Sequence, residues 1–147
     1  MERTMKSLLL LVVALSLLAI AGGTARAQVV DSIVADVPFG FTVRHTALPA
    51  GHYTIKRLGS DPYVMEILGA DNRPLVSFLV DSAQVSKEPR RTELVFDRIG
   101  DQFFLSKVFE EGNNFGVQVQ KTRAERRLEK EGAIVQVDYV TVPVQND

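Results

Sequence analysis

The sequence predicts an all-β domain: an antiparallel meander of about eight strands, closed as a small barrel or folded over as a sandwich, with one short surface helix before the last strand. Three observations lead there. Apolar, β-branched and aromatic residues recur in short runs, several of them with period two. Turn-forming residues separate the runs at spacings too short for the crossover helices that parallel strands need. The chain contains no Cys and no Trp, while Phe, Val, Ile and Leu are plentiful, a balance that favours strands.

Ahead of the domain stands a leader. Arg3 and Lys6 precede the uncharged run 7–23, and Ala25-Arg26-Ala27 follows it. That order is the charged, apolar and small-residue layout of a secretory signal peptide cut after Ala27. Its apolar heart, residues 8–21, is shorter than the roughly 20 residues of a permanent membrane helix. The expectation is a signal peptide over 1–27, a single all-β domain over 28–147, and no stable transmembrane segment after cleavage. The domain would then work in the periplasm or outside the cell.

The whole chain has 17 basic and 18 acidic side chains; without Glu2, Arg3, Lys6 and Arg26 the domain keeps 14 against 17, a net charge near −3. Such a surface favours solubility and offers no footprint for nucleic acid. With no cysteine, thiol chemistry is excluded and the core alone must hold the fold.

From Ile33 the odd positions read Ile33, Ala35, Val37, Phe39, Phe41 and Val43, with Asp36, Thr42 and Arg44 among the even ones, so one face is apolar. Pro38 has no N–H for a ladder, which puts this strand at an edge or breaks it there. Leu48-Pro49-Ala50-Gly51 makes a turn in which Pro fixes one dihedral and Gly51 accepts a positive one. Residues 52–58 return as the second strand. Further strand-like runs cover 63–68, 75–85, 92–98, 103–109 and 115–120, divided by turn signals such as Gly59-Ser60-Asp61-Pro62 and Glu111-Gly112-Asn113-Asn114.

One segment departs from this grammar. Thr122-Arg123-Ala124-Glu125 fits a capping box, helix formers continue through Glu131, and Gly132 ends the helix. Ala124 and Leu128 give it a narrow apolar stripe, so it lies on the surface, and its many charges read as a solvated face. Residues 133–144 resume as the last strand.

Chemistry is hard to find in the pattern. His45 and His52 flank the Leu48-Pro49-Ala50-Gly51 turn, but two imidazoles fall short of the three or four ligands zinc requires, so no metal is assigned. No serine sits in a nucleophile-elbow context, and Glu110 and Glu111, as neighbours on a strand end, point to opposite faces. No phosphate-binding loop is present. The sequence therefore assigns no catalytic residue, no cofactor and no specific ligand-binding residue. The aromatic residues, 8 Phe and 3 Tyr, are spread over nearly every strand and read first as core. Phe103 and Phe104 must face opposite ways, so one of them is covered by the helix or a loop, or exposed for contact.

The segments Pro38-Phe39-Gly40-Phe41-Thr42-Val43, Leu48-Pro49-Ala50-Gly51-His52-Tyr53-Thr54-Ile55 and Leu94-Val95-Phe96-Asp97-Arg98-Ile99-Gly100-Asp101-Gln102-Phe103-Phe104-Leu105 resemble a set of small exported bacterial β-domain proteins. The resemblance implies an exported β domain and carries no catalytic or binding residue. The order of strands, helix and final strand also looks like that of lipocalins, although the glycine, tryptophan and disulfide signatures of that family are missing. The leading functional expectation is a non-enzymatic exported domain that binds or assembles at the cell envelope with an unidentified envelope protein. The alternatives are a lipocalin-like carrier of a small hydrophobic ligand and, further off, a hydrolase of envelope or carbohydrate substrates.

Overall fold

The computed structural model describes residues 32–132 and 135–142. The expected leader and the cut expected after Ala27 lie outside them, as do residues 133–134 and 143–147. The described residues form β1 (Ser32–Val37), β2 (Phe41–Val43), β3 (Thr46–Leu48), β4 (Gly51–Arg57) and β5 (Val64–Leu68). They continue as β6 (Pro74–Gln84), β7 (Glu93–Ile99), β8 (Gln102–Phe109), β9 (Phe115–Val119), the helix α1 (Arg123–Lys130) and β10 (Val135–Thr141). The class is all-β, with one short helix before the last strand, as the sequence predicts.

Two strands exceed the expected number, and both have a local cause. Pro38 cannot donate to a ladder, so the first predicted strand ends at Val37 and resumes as β2. Thr46–Leu48 then turns back on β2, with Val43 opposite Thr46 and only Arg44-His45 between them. Arg44 takes a left-handed φ of 59°, at a hairpin position where glycine is usual.

All ten strands belong to one sheet that curls around one main core without closing into a barrel. Its order runs β1-β4-β5-β6-β9-β8, with the β2–β3 hairpin beside β8 and the other side of β8 leading to β7 and β10. Pairing is therefore not simply between neighbours in sequence. β1 pairs with β4, and the β2–β3 hairpin is an excursion between them. β6 turns the corner: its first half pairs with β5 up to Leu79, opposite Val64, and its second half pairs with β9 from Val80, opposite Val119. β2 meets β8 in parallel at Thr42 and Phe104. β1, β3 and β10 are the edge strands, and β1 and β10 lie side by side across a seam.

Alternation decides what is inside. Ile33, Ala35 and Val37 of β1, Tyr53 and Ile55 of β4, Met65 and Ile67 of β5, and Phe78 and Val80 of β6 all face one core. Phe96 and Leu94 meet them from β7, both fully buried. Between Val95 and Phe96 the register with β8 slips, leaving Ser106 as an extra, buried residue. Val95 joins Ala83 and Phe109 in a small second cluster.

The three motif segments meet in one chain of rings. Phe39 stacks on Phe103 with centroids 4.0 Å apart and stands edge-on to Phe96 at 5.1 Å. Phe96 is edge-on to Phe41, and Phe41 to Tyr53, each at 5.4 Å. The Tyr53 hydroxyl donates to the Pro49 carbonyl at 2.5 Å, and the Arg98 guanidinium lies 5.4 Å from the Phe103 centroid. Phe104 turns to the opposite face and is also buried, next to its β7 partner Asp97.

Two local expectations need correction. Gly51 does not have a positive φ; it already belongs to the β4 ladder opposite Val37 and is extended. In α1 the capping box forms as predicted, with Glu125 N–H donating to Thr122 Oγ1 at 3.2 Å and Thr122 N–H to Glu125 Oε2 at 2.6 Å. The face turned inward differs, however: Glu125 is buried and Ala124 exposed. The box draws the Glu125 side chain back under the first turn, which rotates Ala124 outward.

Candidate functional site

The two histidines singled out in the sequence line different surface clefts. His52 lies on the outer face of β4, opposite Asp36 of β1, and its Nδ1 is 2.7 Å from Asp36 Oδ1. This pair borders a cleft of about 460 Å³ along the β1–β10 seam, completed by Pro38, Tyr139 and Thr141. Tyr139 is 61% exposed, and Val137 and Val135 continue the same outer face of β10. The seam thus presents an apolar stripe beside one polar pair.

His45 opens onto a larger cleft of about 760 Å³. Four parts of the chain build it. The β2–β3 turn supplies Arg44 and His45; β6 supplies Asp81; β9 and the residues after it supply Gln118, Gln120 and Lys121; the first turns of α1 supply Arg123, Arg126 and Glu129. The topology explains the meeting: β2 and β9 both lie along the same side of β8, and the β6–β9 ladder places Asp81 opposite Gln118.

Its walls are tied by specific bonds. Arg44 Nη1 donates to the Gln120 carbonyl at 2.6 Å, and the Gln120 amide donates to Asp81 Oδ1 at 3.2 Å. Lys121 Nζ lies 3.2 Å from Asp97 Oδ2 and also bonds to Glu129. Burial pulls the Lys121 pKa down, but its bonds to Glu129 and Asp97 outweigh that and leave it above the ordinary 10.5. Among the described residues, Arg44, Arg123 and Arg126 belong to no ion pair. Four cations face two carboxylates in this cleft.

The sequence alone reads the helix charges as a solvated face and does not reveal the cleft. The available signal was the two-residue spacing of Arg44-His45 between short apolar runs, which marks a hairpin. What that hairpin faces depends on a parallel contact with β8, far away in sequence. Glu110 and Glu111 stand where β8 gives way to the next turn, and the Glu111 N–H donates to Thr92 Oγ1 at 3.2 Å. Among the described residues no three His, Cys, Asp or Glu side chains are grouped to hold a metal ion. Likewise no helix there is long and apolar enough to cross a membrane.

Comparison with family models, with curated proteins and with solved structures finds no match for this chain.

Proposed function

We propose that the chain is an exported, non-enzymatic β-domain that acts by binding at the cell envelope. The observation that carries this reading is the polar cleft, a concave surface assembled from four separate parts of the fold and furnished with hydrogen-bonding side chains. Export rests on the leader pattern of residues 1–27.

Binding at the surface is favoured over carriage of a hydrophobic ligand by the state of the interior. Phe39, Phe41, Tyr53, Phe96 and Phe103 touch one another, with centroids 4.0 to 5.4 Å apart, where a carrier would turn its rings toward a bound molecule. A hydrolase reading has less support, since among the described residues no hydroxyl nucleophile is hydrogen-bonded to the imidazole of the His52–Asp36 pair.

The test is native mass spectrometry on the protein isolated from its own cell envelope, set against the denatured mass of the same sample. Extra mass that is lost on unfolding is the expected result, and the denatured mass reports whether the chain is cut after Ala27. A bare monomer that turns over a glycoside or ester substrate would refute the proposal.

A further inference from the structure

We propose that the polar cleft binds a sugar bearing an anionic group, either a carboxylate or a phosphate. This assignment rests on reading the domain as a binding module and names the ligand chemistry of its cleft.

Charge is the first argument. The chain as a whole is slightly acidic, with a formal net charge of −1, yet the cleft gathers Arg44, Lys121, Arg123 and Arg126 against Asp81 and Glu129. Lys121 is already committed to Asp97 and Glu129, so it shapes the wall. Arg123 and Arg126 stand three apart on the helix, hence on adjacent positions of one side, and their guanidinium forks suit a planar carboxylate or a phosphate. The capping box already uses the Thr122 and Glu125 N–H groups, and the charged anchors the cleft offers are the guanidinium groups.

The second argument separates a sugar from a bare anion. A cavity of about 760 Å³ lies in the range of organic ligand sites, about 300–1,000 Å³, and dwarfs a single phosphate group. Beside the cations it carries Gln118, Gln120 and Asp81. Asp81 repels a simple anion but accepts hydrogen bonds from hydroxyl groups, and the amides donate and accept. The Gln120 side chain is fixed by Asp81, which orients it before any ligand arrives. A polyhydroxylated ring with one negative substituent satisfies both sets of groups.

The third argument is backbone strain. Arg44 keeps a left-handed φ of 59° where a glycine would sit without cost, and its guanidinium is held at the cleft by the Gln120 carbonyl. The turn and this bond together hold a cation in the cleft wall.

The experiment is an amide-shift NMR titration of the purified protein with digalacturonate, glucose 6-phosphate, the neutral disaccharide cellobiose and inorganic phosphate, with affinities read from the shifts. Expected are shifts confined to the β2–β3 turn, the stretch of β6 around Asp81 and residues 118–129 on adding one or both acidic sugars, weakened by salt, with cellobiose at least tenfold weaker. Arg126→Gln, at an exposed position, should cost at least tenfold in affinity with the spectrum otherwise intact. Arg73→Gln, outside the cleft, should cost nothing. Which acidic sugar binds identifies the anionic group. Equal binding of inorganic phosphate would overturn the sugar assignment, as would absence of any shift at the cleft. Equal binding of cellobiose would overturn the anionic assignment while leaving the binding module standing. Conversion of the disaccharide to monosaccharides would sink both.

Discussion

Lys121 and Asp97 meet across the fold, Nζ to Oδ2 at 3.2 Å, joining the chain that enters α1 to the outer face of β7. The Asp97 side chain is only 13% exposed and is paired with Lys121. Lys121→Met leaves that carboxylate covered and unpaired and should lower stability by about 1–2 kcal/mol, between the values for exposed and buried pairs. The pH dependence follows from the raised pKa of Lys121. Its stabilisation is complete below 10.5, the unfolded value, and is lost as pH rises through the higher folded value. Urea midpoints measured between pH 8 and 11.5 should fall at the alkaline end for the wild type and fall less for Lys121→Met. Parallel curves for the two proteins would disprove the linkage.

Tyr53 adds a second alkaline contribution. Burial raises its phenol pKa above 10.0, so ionisation also favours the unfolded chain as pH rises. The same titration on Tyr53→Phe should show a shallower alkaline decline, together with a loss of about 1 kcal/mol at neutral pH from the missing bond to Pro49. No change at either pH would mean that the hydroxyl bond contributes nothing.

Gly116 lies opposite Phe109 in the β8–β9 ladder. A Cβ at this position would come within 2.5 Å of the Phe109 ring and would also strike the Val108 carbonyl, a backbone atom that cannot swing aside. Gly116→Ala should therefore destabilise the domain by about 2 kcal/mol, the usual cost of forcing extra atoms into a filled site. A melting temperature within experimental error of the wild type would show that β9 moves away freely.

Two glycines at turns separate conformational need from mere position. Gly100 has a φ of 62° in the β7–β8 hairpin, and Gly100→Ala should cost about 1 kcal/mol. Gly51 is extended, and a Cβ there meets the Tyr53 hydroxyl at 3.5 Å and the ring at 3.6 Å, both ordinary contacts. Gly51→Ala should therefore change stability by less than about 0.5 kcal/mol. Thermal melts of the two variants side by side decide the matter, and a reversed order would contradict the backbone geometry described above.

Local chemistry made much of this fold legible. The capping box at Thr122 and Glu125, the break at Pro38 and the alternation of Ile33, Ala35 and Val37 each depend on residues within one element, and each appears where the pattern placed it. The inward face of α1 was less legible, because Glu125 is drawn inside by its own cap and Lys121 secures Glu129, whereas the apolar pair Ala124 and Leu128 suggested another face. The exclusion of Gly51 from the left-handed region was also out of reach. It follows from the pairing of Gly51 with Val37, fourteen positions earlier.

The sequence by itself determined the class of the domain, the extent of most strands, the position of the helix and the aromatic character of the core, because each of these is encoded in periodicity and turn chemistry over a few residues. Only the tertiary structure decided which strands are partners, that the sheet stays open between β1 and β10, and that Arg44, Gln120, Asp81 and Arg126 share one cleft. The physical reason is that β6 bends from one half of the sheet into the other and β2 meets β8 in parallel. Such long-range pairings are settled by how whole faces fit around a common core, which no local pattern records.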